Sequence, residues 1–178
     1  MSHSDAILVT PAQPHHFTAI QQIYAYHVLY GLASFETTPP DSAELLARYQ
    51  KAQESGLPWW VALADGHVLG YCYLAPYRPR AAYRYTVEDS VYVHHEAAGR
   101  GVGKQLLATA IAWAEQQGYR QMVANIGNSE NHASLGLHRS QGFCIAGTLR
   151  AVGLKHGRWL DTVLMQRELG TADRTLPE

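Results

Sequence analysis

Cysteine is scarce, with Cys72 and Cys144 the only two in 178 residues. Two thiols build neither a disulfide framework nor a cysteine metal cluster. They read as two buried thiols in a reducing compartment. Charge is sparse as well, at 16% of residues, and has no dominant sign: 14 Lys and Arg stand against 15 Asp and Glu, a net charge of -1. That balance gives no global basic field to draw the chain to nucleic acid or to an anionic membrane. No run approaches the roughly 18 consecutive apolar residues of a spanning helix. Met1 to Thr10 shows no basic stretch ahead of an apolar one, so a secretory leader is not expected and the expected location is cytoplasmic. Internal repeats and low-complexity tracts are also missing.

What the chain does have is apolar residues, at 47%, among them 11 Tyr and 4 Trp. This excludes disorder as a whole-chain state. The length suits one domain with its own core, read as residues 1–170, followed by a polar tail, 171–178, expected to fray. Ala6 to Thr10 reads as a strand. From about Pro14, Phe17, Ile20, Tyr24 and Val28 recur at helical spacing up to Gly31. Asp41 with Glu44 resembles a capping box that opens a second helix, closed by Gly56. Trp59 to Ala64 and His67 to Ala75 are apolar runs around Asp65-Gly66, a type I′ hairpin signal. Thr86 to Val93 is a strand, and Leu106 to Ala114 lies in a helix that Gly118 ends. Gln121 to Ile126, Phe143 to Leu149 and Trp159 to Met165 are strands, with a short helix over Ala133 to Gln141. The order describes an α/β chain on a mixed sheet, with a crossover unit from Val87 to Ile126.

The most informative stretch runs from Val91 to Lys104, where a strand enters a turn holding Gly99, Gly101 and Gly103 and then opens a helix. Glycine lets the backbone adopt positive φ and approach a ligand closely. The free amides of a helix start carry the positive end of its dipole and suit phosphate. Arg100 and Lys104 add charge there. A tight structural turn would use the same glycines. The P-loop pattern fails, because Ala98 holds its first glycine position and Gln105 follows Lys104. The dinucleotide fingerprint fails too, its third glycine falling one residue early at Gly103. The pyrophosphate-loop pattern Gln/Arg-x-x-Gly-x-Gly/Ala fits at Gly101 and Gly103, with Ala98 in place of Gln/Arg. One strand later, Asn131 to Phe143 resembles the segment Asn-x-x-Ala/Ser-x-x-Leu-Tyr-x-x-x-Gly-Phe, with His138 in place of Tyr.

On these two motifs the chain is identified as a member of the GNAT superfamily of N-acetyltransferases, over roughly residues 6–169. Ser34-Phe35-Glu36, Tyr77-Arg78-Pro79-Arg80, Tyr83, Thr86 to Val93 and Gly153 to Asp161 resemble the phosphinothricin and methionine sulfoximine N-acetyltransferase family. The resemblance implies the GNAT fold: a twisted, mixed and mostly antiparallel sheet flanked by helices, with two central strands splayed apart. It implies acetyl-CoA as cosubstrate, no metal, and a homodimer. The implied cosubstrate contacts are Val91, Tyr92 and Val93, the loop Gly99, Arg100, Gly101, Val102, Gly103 and Lys104, and then Asn131, Ser134 and His138.

An ammonium must lose a proton before it attacks a thioester, and the resemblance puts the general base at Glu88. In a regular strand Thr86, Glu88, Ser90 and Tyr92 share one face, and Val87, Val91 and Val93 the other, with Asp89 among the valines as a reserve base. The resemblance suggests the Val91 amide as donor to the developing oxyanion. It also suggests His138 as the donor to the departing thiolate. The implied acceptor contacts are Phe35, Glu36, Tyr77, Arg78, Arg80, Tyr83 and Ser90. Arginine binds carboxylate and phosphinate in bidentate fashion. His94-His95-Glu96 matches no metal-ligand spacing and reads as a solvated loop. The expected reaction is direct transfer of acetyl to the α-amino group of a small amino acid analogue. A peptide N-terminus, an aminoglycoside or a polyamine is the rival acceptor, and a CoA-binding module without turnover is the rival class.

Overall fold

The computed structural model describes residues 6–178; Met1 to Asp5, at the start of the expected domain, lie outside the described residues. In chain order the elements are β1 (Leu8–Pro11), α1 (Phe17–Tyr30), α2 (Ser42–Glu54), β2 (Trp59–Ala64), β3 (His67–Pro76), β4 (Thr86–Val93), α3 (Val102–Gln116), β5 (Gln121–Gly127), α4 (His132–Ser140), β6 (Cys144–Lys155) and β7 (Arg158–Glu168). They form one seven-stranded sheet in the order β1-β2-β3-β4-β5-β7-β6. Only β4 and β5 are parallel. This is the mixed, mostly antiparallel sheet with four helices that the resemblance implied.

Strand alternation sorts the core onto the two faces of the sheet. Trp59, Val61 and Tyr71 pack with Phe17, Ile20, Tyr24, Leu45 and Tyr49 of α1 and α2. Their neighbours Trp60, Ala62, Cys72, Leu74 and Val87 pack with Leu106, Leu107, Ala110 and Leu135 of α3 and α4. Each such buried Val, Leu, Ile or Phe side chain contributes about 1.5–3 kcal/mol. The Asp65-Gly66 turn has positive φ at both residues, 49° and 76°, as a type I′ hairpin demands. Asp41 caps α2, accepting from the Glu44 amide at 2.8 Å.

Three expectations need correction. β6 does not end at Leu149 but runs to Lys155, through a register shift between Leu149 and Gly153 where Ala151 takes φ 52°. The alternation breaks at that shift, which hides the strand's second half from a periodicity reading. The tail does not simply fray: Ala172 is buried, and the Arg120 guanidinium donates to the Ala172 carbonyl at 2.7 Å and the Thr175 carbonyl at 2.9 Å. Of the two thiols, Cys72 is buried but Cys144, at the start of edge strand β6, is exposed. Among the described residues no helix is long and apolar enough to cross a membrane.

Candidate active site

Two main-chain bonds fix which way β4 faces. Tyr77 N–H donates to Thr86 O at 3.3 Å, and His94 N–H donates to Leu69 O at 2.8 Å. Even-numbered residues of β4 therefore turn their backbone groups to β3, and odd-numbered ones turn theirs to β5. Pairing with β5 stops at Asp89–Ala124, although β4 continues to Val93 and β5 to Gly127. The strands thus part beyond Asp89, and Val91 and Val93 present an unpaired edge. The Val93 carbonyl already accepts a bond there, from His27 Nε2 at 2.8 Å. Burial pulls the His27 imidazole below its ordinary pKa, which fits a neutral ring donating through Nε2. His27 was not foreseen, because it stands as one polar residue in an otherwise ordinary helix pattern.

The glycine loop ends at this edge. Gly99 and Gly101 sit at φ 80° and 78°, where a side chain is strained. Gly101 is the N-cap of α3 and has no side chain to cap it, so the first-turn amides of α3 stay open. A Cβ on Gly103 would come within 3.1 Å of Leu137 Cδ2, so this glycine lets α3 lie close to α4. A cavity of about 530 Å³ follows, lined by Val91, Tyr92 and Val93, by Gly99, by Gly101 through Lys104, and by Asn131 and Ser134. Arg100 faces a neighbouring depression instead, with His67, His94 and Glu96. Asn131 caps α4, its Oδ1 accepting from the Ser134 amide at 3.2 Å, which leaves its Nδ2 free.

Glu88 and Asp89 point to opposite faces of the sheet, and no bulge breaks β4. Glu88 lies on the α1–α2 face beside Tyr73 and Tyr92, whose hydroxyls it helps push upward after burial itself. Burial, then the neighbouring Asp89, raises the Glu88 carboxyl above its ordinary pKa. Asp89 lies on the α3–α4 face, its side chain 1% exposed, with Oδ1 at 2.8 Å from His138 Nε2. His138, expected near the sulfur, has both ring nitrogens engaged; Nδ1 bonds the Ser134 carbonyl at 2.8 Å. A third volume, about 60 Å³, joins the two faces through the split and is lined by Asp89, Ser90, Val91, Tyr92, Asn125 and His138, among others.

On the Glu88 face a cavity of about 350 Å³ is lined by Tyr24, Ser34, Phe35, Glu36, Tyr92, Asn125 and Thr162, with Ala33 and Gly127. Phe35 is pressed between Gly127 and Gly153, where any Cβ would collide with its ring. The loop that carries it is tied down by buried Lys155, whose Nζ donates to Ser34 O at 2.6 Å, and by a Tyr24–Ser34 hydroxyl bond of 2.9 Å. Glu36 pairs with Arg48 at 2.8 Å and keeps Oε2 buried without a partner. Periodicity puts Tyr24 in a helix and Asn125 and Thr162 in strands but gives none of them, nor Lys155, a place in this site, because the contacts that form it join separate segments of the chain. Glu88 and Ser90 share the face but not this lining, and the structure does not bring in Tyr77, Arg78, Arg80 and Tyr83 either. They form the exposed β3–β4 connection, with the Tyr77 and Tyr83 rings edge to face at 5.5 Å. Among the described residues no three His, Cys, Asp or Glu gather as metal ligands.

A split between parallel strands beside an uncapped, glycine-led helix start is what the fold contributes, and comparison with known proteins agrees. The pattern of the Acetyltransferase (GNAT) family matches residues 20–143, and the chain belongs to this family of acyltransferases. It is 57% identical to a phosphinothricin N-acetyltransferase of Alcaligenes faecalis over 160 residues, covering 90% of this chain and 81% of that one. It is 41% identical to an L-methionine sulfoximine/L-methionine sulfone acetyltransferase of Salmonella typhimurium over 151 residues, covering 85% and 88%. Among solved structures, a phosphinothricin acetyltransferase from Sinorhizobium meliloti in complex with acetyl-CoA superposes with a TM-score of 0.93 at 42% identity, covering 97% of this chain and 93% of that one. The chain is an N-acetyltransferase.

Proposed function

We propose that this enzyme transfers acetyl from acetyl-CoA to the α-amino group of a small amino acid analogue of the phosphinothricin, methionine sulfoximine or methionine sulfone type. The observation that carries the reading is the split itself: an open Val91–Val93 edge, beginning just past Asp89, leads to the uncapped start of α3. Acetyl-CoA supplies the activated acetyl group. The amides of Val102, Gly103 and Lys104 hold its diphosphate, and Gly99 and Gly101 let the chain bend around it. Arg100 adds charge from the rim. Val91 and Val93 take the pantetheine arm as an added strand, with Asn131 Nδ2 and Ser134 beside it. The Val91 N–H stabilises the oxyanion.

The acceptor lies on the opposite face of the sheet, walled by Phe35 and Ser90, with the free oxygen of Glu36 toward its ammonium. Glu88 accepts the ammonium proton, and its raised pKa brings it closer to an effective base at neutral pH. The nitrogen then bonds the acetyl carbon and the carbon–sulfur bond breaks. Arg78 and Arg80, beside Tyr77 and Tyr83, meet the acidic end of the acceptor from the β3–β4 connection. The exposed free thiol of Cys144 suits a reducing cytoplasm.

We also infer a homodimer. Edge strand β6 and its partner β7 expose Ile145, Leu149, Val152, Leu154 and Trp159, the last at 68%. An apolar sheet edge of this kind is covered in a stable protein. A second copy of the chain is the occupant that buries it.

The functional test is thiol release from acetyl-CoA across phosphinothricin, methionine sulfoximine, methionine sulfone, common amino acids, peptides and polyamines. Turnover on the first three, with product acetylated at the α-nitrogen, is the expected result. Turnover only on polyamines or peptides would replace the acceptor. Acetyl-CoA binding without release on any amine would leave a binding module.

A further inference from the structure

The floor of the split holds a buried couple whose protonation follows from its partners. His138 Nδ1 lies 2.8 Å from the Ser134 carbonyl, which only accepts, so Nδ1 carries a hydrogen. His138 Nε2 lies 2.8 Å from Asp89 Oδ1, and an ionised carboxylate also only accepts. Against a carboxylate, a neutral imidazole with its one N–H would meet one of these oxygens lone pair to lone pair; the rival arrangement, a protonated Asp89 donating to a bare Nε2, is the one a nitrogen-15 spectrum separates. The side chains are 4% and 1% exposed, so no solvent relieves the conflict. We propose that His138 is held as an imidazolium bridging Ser134 and Asp89, and that Asp89 is the positioning residue that keeps this proton at the floor of the split.

The other groups around the couple agree. Burial alone would pull the His138 imidazole down, but the bond to Asp89, its charge and the Ser134 carbonyl together leave it raised. From β3 the buried Cys72 thiol faces Asp89 and is held neutral, pushed up first by burial and then by that carboxylate. From β4, Glu88 lies on the other side of the sheet. The Phe143 ring stands edge-on to the imidazole at 4.9 Å and brings no charge. Asp89 Oδ2 is buried without a partner, and Asp89 and His138 both line the 60 Å³ volume between the faces. A few tens of Å³ is room for a water or a small polar group.

The inference rests on the acetyl-transfer reading for its use in the reaction. When the acetyl carbon bonds nitrogen, the carbon–sulfur bond breaks and sulfur keeps the electron pair. The His138 Nε2 proton leaves its bond to Asp89 Oδ1 and crosses the small cavity both residues line to that sulfur, giving the free thiol. Neutral His138 and ionised Asp89 then regain a proton from solvent after the products leave.

Nitrogen-15 NMR of the wild-type histidines at pH 7.5 reads the couple directly. The expected spectrum gives His138 two protonated ring nitrogens. Either nitrogen bare would overturn the proposal, whatever the activity. Asp89→Asn keeps a hydrogen-bonding neighbour, since the Asn amide can donate to Nε2, but removes the carboxylate. It should leave His138 with one bare nitrogen and lower kcat on the order of 100-fold, with KM for acetyl-CoA within about threefold of wild type. Its kcat–pH profile should lose the basic limb that the wild type shows as the couple deprotonates. An unchanged kcat and pH profile in a folded variant would remove Asp89 from this role. Should the variant not fold, the wild-type spectrum alone decides. Failure of the wild type to transfer acetyl to any amine is a failure of the enzymatic reading, and the spectrum separates the two.

Discussion

Glu88 and Asp89 are adjacent carboxylates with opposite surroundings, and one peptide step in a strand is enough to separate them. Glu88 faces the aromatic side with its carboxyl raised by burial; Asp89 faces the α3–α4 core with an imidazole against it. A base must be ionised to work, so the rate should rise with pH through the raised value of Glu88, above the ordinary carboxylate range. Glu88→Gln should remove that acidic limb and lower kcat by about 10²–10⁴-fold, with acetyl-CoA affinity by calorimetry nearly intact. The couple makes a prediction of opposite sign for stability. Folding raises the His138 pKa, so its contribution is complete below the ordinary histidine value and is lost as pH rises through the raised one. Tm measured against pH should fall over that upper range in the wild type and not in Asp89→Asn. The alternation of Thr86 to Val93 put these two residues on opposite faces from sequence alone. The imidazole facing Asp89 lies 49 residues away, and no periodicity could pair them.

At the scale of elements, the site is built where two of them stop. β4 loses its parallel partner after Asp89, and α3 begins on a residue that cannot cap it. Gly101→Val should strain the positive φ by about 1–2 kcal/mol and crowd the open amides. We expect calorimetry to show acetyl-CoA binding lost while the acceptor's own pocket is unaffected; retained affinity would detach the glycine loop from diphosphate binding. Elements with strong local signals, such as the Asp65-Gly66 hairpin, the Asp41 cap and the Gly99–Gly103 turn, were legible in the sequence. The second half of β6 was not, because a register shift hides its alternation. The clamp on the 31–36 loop was not either, because Lys155 reaches Ser34 across 121 residues of chain. The exposed β3–β4 arginines were assigned by resemblance, and they sit outside the cavity that holds Phe35 and Glu36.

For the molecule as a whole, the proposed reaction divides the sheet: one face and its helices would take the acceptor and the other the acyl donor, with the split between β4 and β5 joining them. The open side of the sheet, β6 and β7, carries the exposed apolar row that ends in Trp159. Trp159→Glu should convert a dimer to a monomer in sedimentation velocity without loss of secondary structure; a wild-type monomer at all concentrations would remove the dimer from the account. A crystal structure grown with acetyl-CoA would show directly whether the split and the open start of α3 hold the donor. The diphosphate should lie on the amides of residues 102–104, the arm along Val91 and Val93, and the thioester within reach of the Glu88 face. A diphosphate bound elsewhere, or β4 and β5 zipped together beyond Asp89 with the donor outside, would contradict that placement.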